Sequence, residues 1–304
     1  NMISVSNLIF RMKKNAVGLA TIAILSTMVL VTLSGGANIY AGGDYMQKAM
    51  FPHDFSIQGK GVTGEQMEQA LTEFVNEQQL PVTKKGVYPY YTMGVTSHAD
   101  NQLDINAAAQ KFVTPKTYIL AVSEADYQSM TGKTLDLGDD EVALYQQGVK
   151  LDPKQDLQLA GQTFKIKEEL KEDFIFGHLP DQMNMIVPEK IYMVLKNPDQ
   201  IFSAMTDKYA VNLNYYGWLD TKLSTEEQRN LRDAYQEKLQ QFNQTLPENQ
   251  AVYGSVTAFD KQEIKGMLGG MFFIGIFLSI VFMLGTILII YYKQISEGYE
   301  DRDR

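Results

Sequence analysis

Two stretches of the chain are apolar at almost every position, and the sequence between them alternates. Residues 266–292 read GMLGGMFFIGIFLSIVFMLGTILIIYY, without a charged residue, an amide, a histidine or a proline. About 20 such residues at about 1.5 Å rise each span the hydrocarbon core of a bilayer. Lys265 and Lys293 close the run, and Tyr291 and Tyr292 stand where an interfacial aromatic belt belongs. A core helix of a soluble protein keeps a polar side over such a length. The second run, 15–43, is uncharged, and its apolar heart is Ala16 to Leu33.

Residues 1–14, NMISVSNLIFRMKK, carry Arg11, Lys13 and Lys14 and no acid. Ile3, Leu8, Ile9 and Met12 share a helical face, as in a short helix lying on a membrane. A signal peptide has a similar basic-then-apolar order. The length of the run, its amphipathic approach and the second span favour a retained helix. The basic cluster places the N-terminus in the cytoplasm, so 44–265 lies outside and the chain returns at 266–292. The segments are then a juxtamembrane stretch (1–14), a first transmembrane helix (15–43), an outer domain (44–265), a second transmembrane helix (266–292) and a cytoplasmic stretch (293–304). The chain opens Asn-Met and stops within EGYEDRDR, as a piece of a longer polypeptide would.

The outer segment is patterned like a folded domain. Apolar residues at helical spacing predict a helix over 64–80, closed by Pro81. VYPYYTMGVT, 87–96, reads as a strand whose Pro89 suits an edge or a bulge. Strands are expected at 118–122, 141–145, 163–166, 183–188, 191–195, 209–219 and 251–256. Ser123 and Gly132 bracket a short helix. A further helix is expected over 198–208, and Ser224-Thr-Glu-Glu227 is a capping box opening a helix to about Asn243. Asp260 is a candidate cap for the helix entering the membrane. With no internal repeat, the fold class is a membrane protein: two transmembrane helices bracketing one extracytoplasmic mixed α/β (α+β) domain.

Charge and composition narrow the function. Residues 44–265 hold 21 Lys and Arg against 32 Asp and Glu, a net charge of −11. That acidity speaks against nucleic acid as a partner and favours cationic ones. Cysteine is absent, so there is no disulfide or thiolate metal site. No phosphate-binding loop, zinc-protease or nucleophile-elbow motif is present. His53, His98 and His178 lack ligand spacing and read as surface or turn residues. No catalytic residue, metal site or bound cofactor is expected. Aromatic clusters mark binding surfaces and strand cores alike: here Tyr88, Tyr90 and Tyr91, then Tyr215, Tyr216 and Trp218. The first three are the candidate ligand-binding residues. Gly266, Gly269, Gly270 and Gly275 have the small-residue spacing that lets helices approach.

IIYYKQISEGYEDRDR (289–304), NLIFRMKKNAVGLATIAILSTMVL (7–30) and LAVSEADYQSMTGKTLDLGDDEVALY (120–145) resemble the FtsX-like permeases. Within that family they are similar to the bacitracin-resistance (Bce-type) ABC transporter permeases of Gram-positive bacteria. The resemblance implies a non-catalytic permease segment in the cell membrane, working with a separate ATPase subunit that holds the ATP. It implies a histidine kinase as a signalling partner. It also implies a ligand: a cationic peptide antibiotic or its complex with a lipid-linked cell-wall precursor. Gln294, Glu297, Tyr299, Glu300 and Asp301 then begin the element that meets the ATPase. The chain holds two spans where such permeases hold more, so by itself it is a sensing and coupling segment. A two-span receptor of the histidine-kinase type is the alternative.

Overall fold

The structure is a computed structural model, described here over residues 20–38, 53–105, 115–175, 178–179, 189–205, 209 and 211–302. The expected surface helix at 1–14 and strand at 183–188 lie outside these residues. The chain forms two compact units, one from residues 1–48 and 261–304, the other from 49–260.

The first unit contains α1 (Ala20–Asn38) and most of α7 (Thr257–Arg302). Both are long and apolar enough to cross a bilayer. Their hydroxyls turn inward on their own helices. Thr27, Thr32, Ser279 and Thr286 each donate to the carbonyl four residues back, at 2.6–2.9 Å. The close approach between the helices falls at Gly275, where an added Cβ would sit 3.3 Å from Thr32, and at Gly36 against Phe272. Gly266, Gly269 and Gly270 meet nothing within 4 Å, so the expected packing stripe is only partly used within this pair.

The second unit is a sheet with helices on its faces. Its elements are β1 (Phe55–Lys60), α2 (Gly64–Gln78), β2 (Val82–Val95), β3 (Ser97–Ala99), β4 (Gln102–Asp104), β5 (Thr117–Ser123), α3 (Glu124–Thr131) and β6 (Glu141–Gln147). There follow β7 (Leu157–Leu159), β8 (Gln162–Glu169), β9 (Glu189–Leu195), α4 (Pro198–Phe202), β10 (Val211–Thr221), α5 (Thr225–Asn230), α6 (Arg232–Thr245) and β11 (Ala251–Val256). Among the described residues these strands make one sheet, ordered β11-β1-β10-β2-β5-β9-β6-β8-β7-β4-β3. The β5–β9, β6–β8 and β4–β7 pairs are parallel, and the others are antiparallel.

Local chemistry explains the helix boundaries. Thr63 caps α2, and Gln66 closes a reciprocal box with it. Ser123 caps α3, and Gly132 ends it in the left-handed region. Ser224 and Glu227 form the box expected from sequence, but the helix they open breaks at Leu231 into α5 and α6. The helix expected over 198–208 shortens to α4 and a 3-10 turn, Ser203–Met205. Asp260 is not a cap: α7 begins at Thr257, directly after β11, and Asp260 lies in its first turn.

Period-two alternation gives the sheet two distinct faces. Phe55, Ile57, Leu219, Val252 and Val256 pack beneath α2 and α6, against Phe74, Tyr235 and Leu239. Farther along the same face, Tyr91, Met93, Ile119 and Met193 pack with Phe202. The opposite face carries Tyr88, Tyr90, Leu120, Tyr192, Tyr216 and Trp218. The outer edge of β11 is closed by α6. Gln236 donates to the Gly254 carbonyl, and Asn243 bonds both the N–H and the carbonyl of Val252.

Gly254 sits where β11 passes under α6. An added Cβ would lie 2.6 Å from both Leu239 Cδ1 and Tyr235 Cε1. Gly254→Ala is expected to destabilise the domain by about 1–3 kcal/mol through overpacking, read as a lower denaturation midpoint with an unchanged urea dependence.

Candidate functional site

The even-numbered positions of β2, β5, β9 and β10 leave part of one sheet face uncovered by any described helix. It forms a groove of about 860 Å³. Tyr90, Thr92, Tyr118, Lys190, Tyr192 and Asn212 are on its floor. Register accounts for their convergence. Tyr90 is opposite Asn214, Thr92 lies between Asn212 and Leu120, and Tyr118 is beside Lys190. Asn214 donates from Nδ2 to Thr92 Oγ1 at 2.9 Å, which fixes the amide across the strand pair. Gln58, Lys60 and Tyr253 form the rim on the β1–β11 side. Tyr253 is 60% exposed, against 8% for Tyr90.

Among the described residues none that lines the groove is acidic, and Lys60 and Lys190 are the charged ones. This contrasts with the −11 of the segment as a whole. Aromatic faces, amides and hydroxyls with little charge suit a ligand that is neutral or anionic and part apolar.

The three tyrosines proposed from sequence do not act together. Tyr90 lines the groove. Tyr88 shares its face but is buried under α3, with its hydroxyl 3.2 Å from Ser129 Oγ. Burial raises its pKa, despite that hydrogen bond. Tyr91 points to the other face, 2% exposed, and donates to Asp199 at 2.8 Å. Burial and that carboxylate raise its pKa. The edge-strand reading of Pro89 is corrected too. Strand β2 lies inside the sheet, between β10 and β5. Pairing with β5 covers only Tyr91 to Val95, so proline is tolerated just beyond it.

Sequence reasoning missed Tyr118, Tyr192 and Tyr253, because a lone tyrosine in an apolar strand carries no signal without its register. The histidines, read as surface or turn residues, are half-buried at His53 and, in a turn, at His178, where their rings meet edge-on beside Trp218, while His98 stays exposed on β3. Among the described residues no group of three His, Cys, Asp or Glu is placed to hold a metal ion. The proposed coupling residues Gln294, Glu297, Tyr299, Glu300 and Asp301 all lie on α7, which continues as helix to Arg302. Tyr299 is exposed.

No family model matches this chain, and no curated protein matches it. A solved Bacillus anthracis structure, described as a candidate lipoprotein, aligns over 66% of this chain and 96% of its own at 6% identity, with a TM-score of 0.32. A likeness at that score carries no inference about function.

The groove and the core are separable by mutation. Tyr253→Ala is expected to change stability by less than about 0.5 kcal/mol, as for an exposed side chain. Tyr91→Ala is expected to cost about 3–5 kcal/mol, as for a large buried aromatic. Urea unfolding followed by near-ultraviolet circular dichroism distinguishes the two.

Proposed function

We propose that this chain is the membrane-anchored recognition segment of an FtsX-like, Bce-type ABC permease. In this reading α1 and α7 are transmembrane, the sheet domain is extracellular and both ends of the segment are cytoplasmic. The observation that carries it is a groove-bearing α/β domain bracketed by two helices apolar enough to cross a bilayer. The three stretches that resemble such permeases lie in α7, in and before α1, and across β5–α3–β6.

The charge distribution supports a two-part ligand. The acidic domain draws cationic peptides to its surface and raises their encounter rate at low salt. The groove, which has no carboxylate among its described lining residues, accommodates the neutral or anionic part of a complex between such a peptide and a lipid-linked cell-wall precursor. Binding is passed through α7, whose Gln294, Glu297, Tyr299, Glu300 and Asp301 meet the separate ATPase. A histidine kinase reads the same change. Chemistry belongs to the ATPase, and this chain is non-catalytic.

A two-span receptor is the second reading. It is favoured by one observation: α7 stays helical as far as Arg302, as a signalling helix would.

The test is calorimetry on the chain in detergent, with a cationic peptide antibiotic added alone and with a lipid-linked precursor. Binding is expected to weaken as salt rises, and Tyr253→Ala is expected to weaken it about 10-fold, as loss of an interface aromatic does. Salt-insensitive binding, or none, contradicts the proposal.

A further inference from the structure

Among the described residues, strand β10 has a neighbour on both sides for only part of its length. Its pairing with β2 runs from Thr221↔Val82 to Val211↔Met93, but its pairing with β1 stops at Gln58↔Tyr216. Beyond that point β1 keeps only β11, as far as Lys60↔Ala251. The turn into α2 draws it away. The chain folds back so closely after Gly59 that an added Cβ there would overlap Val62, and Gly61 takes the left-handed region at φ +66°. Val211 to Tyr215 are therefore left with an open edge. Leu213 is 41% exposed although its strand lies inside the sheet. The opening is one end of the groove, lined by Gln58, Gly59 and Lys60 from β1 and by Asn212, Leu213 and Asn214 from β10.

A proline decides which backbone groups face this opening. Tyr215 lies opposite Pro89 of β2. Proline has no N–H, so this pair exchanges no hydrogen bonds. Bonded and non-bonded pairs alternate along an antiparallel ladder. Asn212, Asn214 and Tyr216 therefore bond to β2, and Val211, Leu213 and Tyr215 turn their N–H and C=O groups away from it. The same parity gives Gly217 and Leu219 to Ile57 and Phe55 of β1, which leaves the even-numbered residues of β1 for the β11 side. The Thr257 N–H does go to an even-numbered residue, the Asp54 carbonyl, at 2.9 Å. On the open edge, the Val211 N–H is taken by the Tyr209 carbonyl at 2.8 Å. The Val211 carbonyl and both backbone groups of Leu213 and Tyr215 remain, without a strand partner among the described residues. They form a row of donors and acceptors about 14 Å long at strand spacing.

We propose that this edge of β10 takes an extended peptide segment as an added strand, in the line that β1 leaves at Gly59. Main-chain hydrogen bonds to Leu213 and Tyr215 hold it, as at any open sheet edge. Alternating donors and acceptors are the complement of another polypeptide backbone, whereas a phosphate, which only accepts, matches half of them. The added side chains alternate between the face of Asn212 and Asn214 and the face of Leu213. Lys60 lines this end, and the described lining holds no carboxylate, so the stretch inside the groove is uncharged. Cationic flanks of the same peptide lie over the acidic surface outside it. The inference rests on the proposed function for a peptide as ligand and adds how its backbone is held.

The experiment is residue-resolved amide hydrogen exchange on the full chain in detergent. In the free chain the Leu213 and Tyr215 amides are expected to exchange at least about 10-fold faster than those of Asn212 and Asn214, which pair with β2. The probe is a linear peptide of alternating valine and threonine with lysines at one end. It is expected to slow Leu213 and Tyr215 by about 10-fold or more. N-methylation of every second probe residue is expected to abolish this for one alternate set and to spare it for the other, because a strand turns its N–H groups to two edges in turn. Leu213→Pro, which like Pro89 removes no N–H from the β10–β2 ladder, is expected to leave that ladder protected and to weaken the probe about 10-fold. Slow exchange at Leu213 and Tyr215 in the free chain, no slowing by the probe, or equal loss from both methylated sets overturns the added strand. A cationic peptide antibiotic that binds by calorimetry but leaves these two amides fast overturns it as well, while the proposed function stands. Protection by the probe without any antibiotic binding sustains the added strand and contradicts the proposed function.

Discussion

The two chain ends of the sheet domain leave it side by side, because β1 and β11 are hydrogen-bonded neighbours from Phe55↔Val256 to Lys60↔Ala251. The pairing brings the two ends together at one edge of the sheet. The Thr257 N–H continues the ladder by donating to the Asp54 carbonyl. Tyr235 of α6 locks the same place from the helical face, its hydroxyl donating to the Ser56 carbonyl at 2.9 Å. Full burial raises the pKa of that phenol, which keeps it a donor.

From this edge the sheet grows by the longest pairing in the domain, β10 with β2, which runs from Val211↔Met93 to Thr221↔Val82. A strand pair of that length commits every second side chain to one face. Helices α2, α4 and α6 use the apolar face for the core. The other face is covered by α3 and by Leu170, Phe174, Ile175 and Leu179 at one part and left as a groove at another. Tyr216, buried between the two parts, has its pKa pushed up to about 12 by loss of solvent.

The sequence was most legible where a signal is local. The two apolar runs, the Ser123 and Ser224 caps and most long strands follow from adjacent residues. Short strands such as β3, β4 and β7 were illegible, since three residues carry no period. Strand β1 was also missed, because FSIQGK alternates too briefly before Gly61. The site was less legible than the fold. Tyr90 belongs to the groove, but its neighbours in space come from β5, β9 and β11, and only register brings them near. Tyr88 and Tyr91 were grouped with it by adjacency, yet alternation and the cover of α3 send them into the two cores. His53 and His178 gave no spacing signal because residues so far apart in sequence meet only in the folded chain.

The central claim is that α1 and α7 cross the membrane and hold the sheet domain on the side opposite the two ends of the chain. The chain has no cysteine, so single cysteines introduced at Asp100, exposed beside β3, and at Arg302, at the end of α7, are unique labels. An impermeant thiol reagent applied to intact cells is predicted to modify position 100 and to reach position 302 only after lysis. Labelling of 302 with protection of 100 in intact cells would contradict the account.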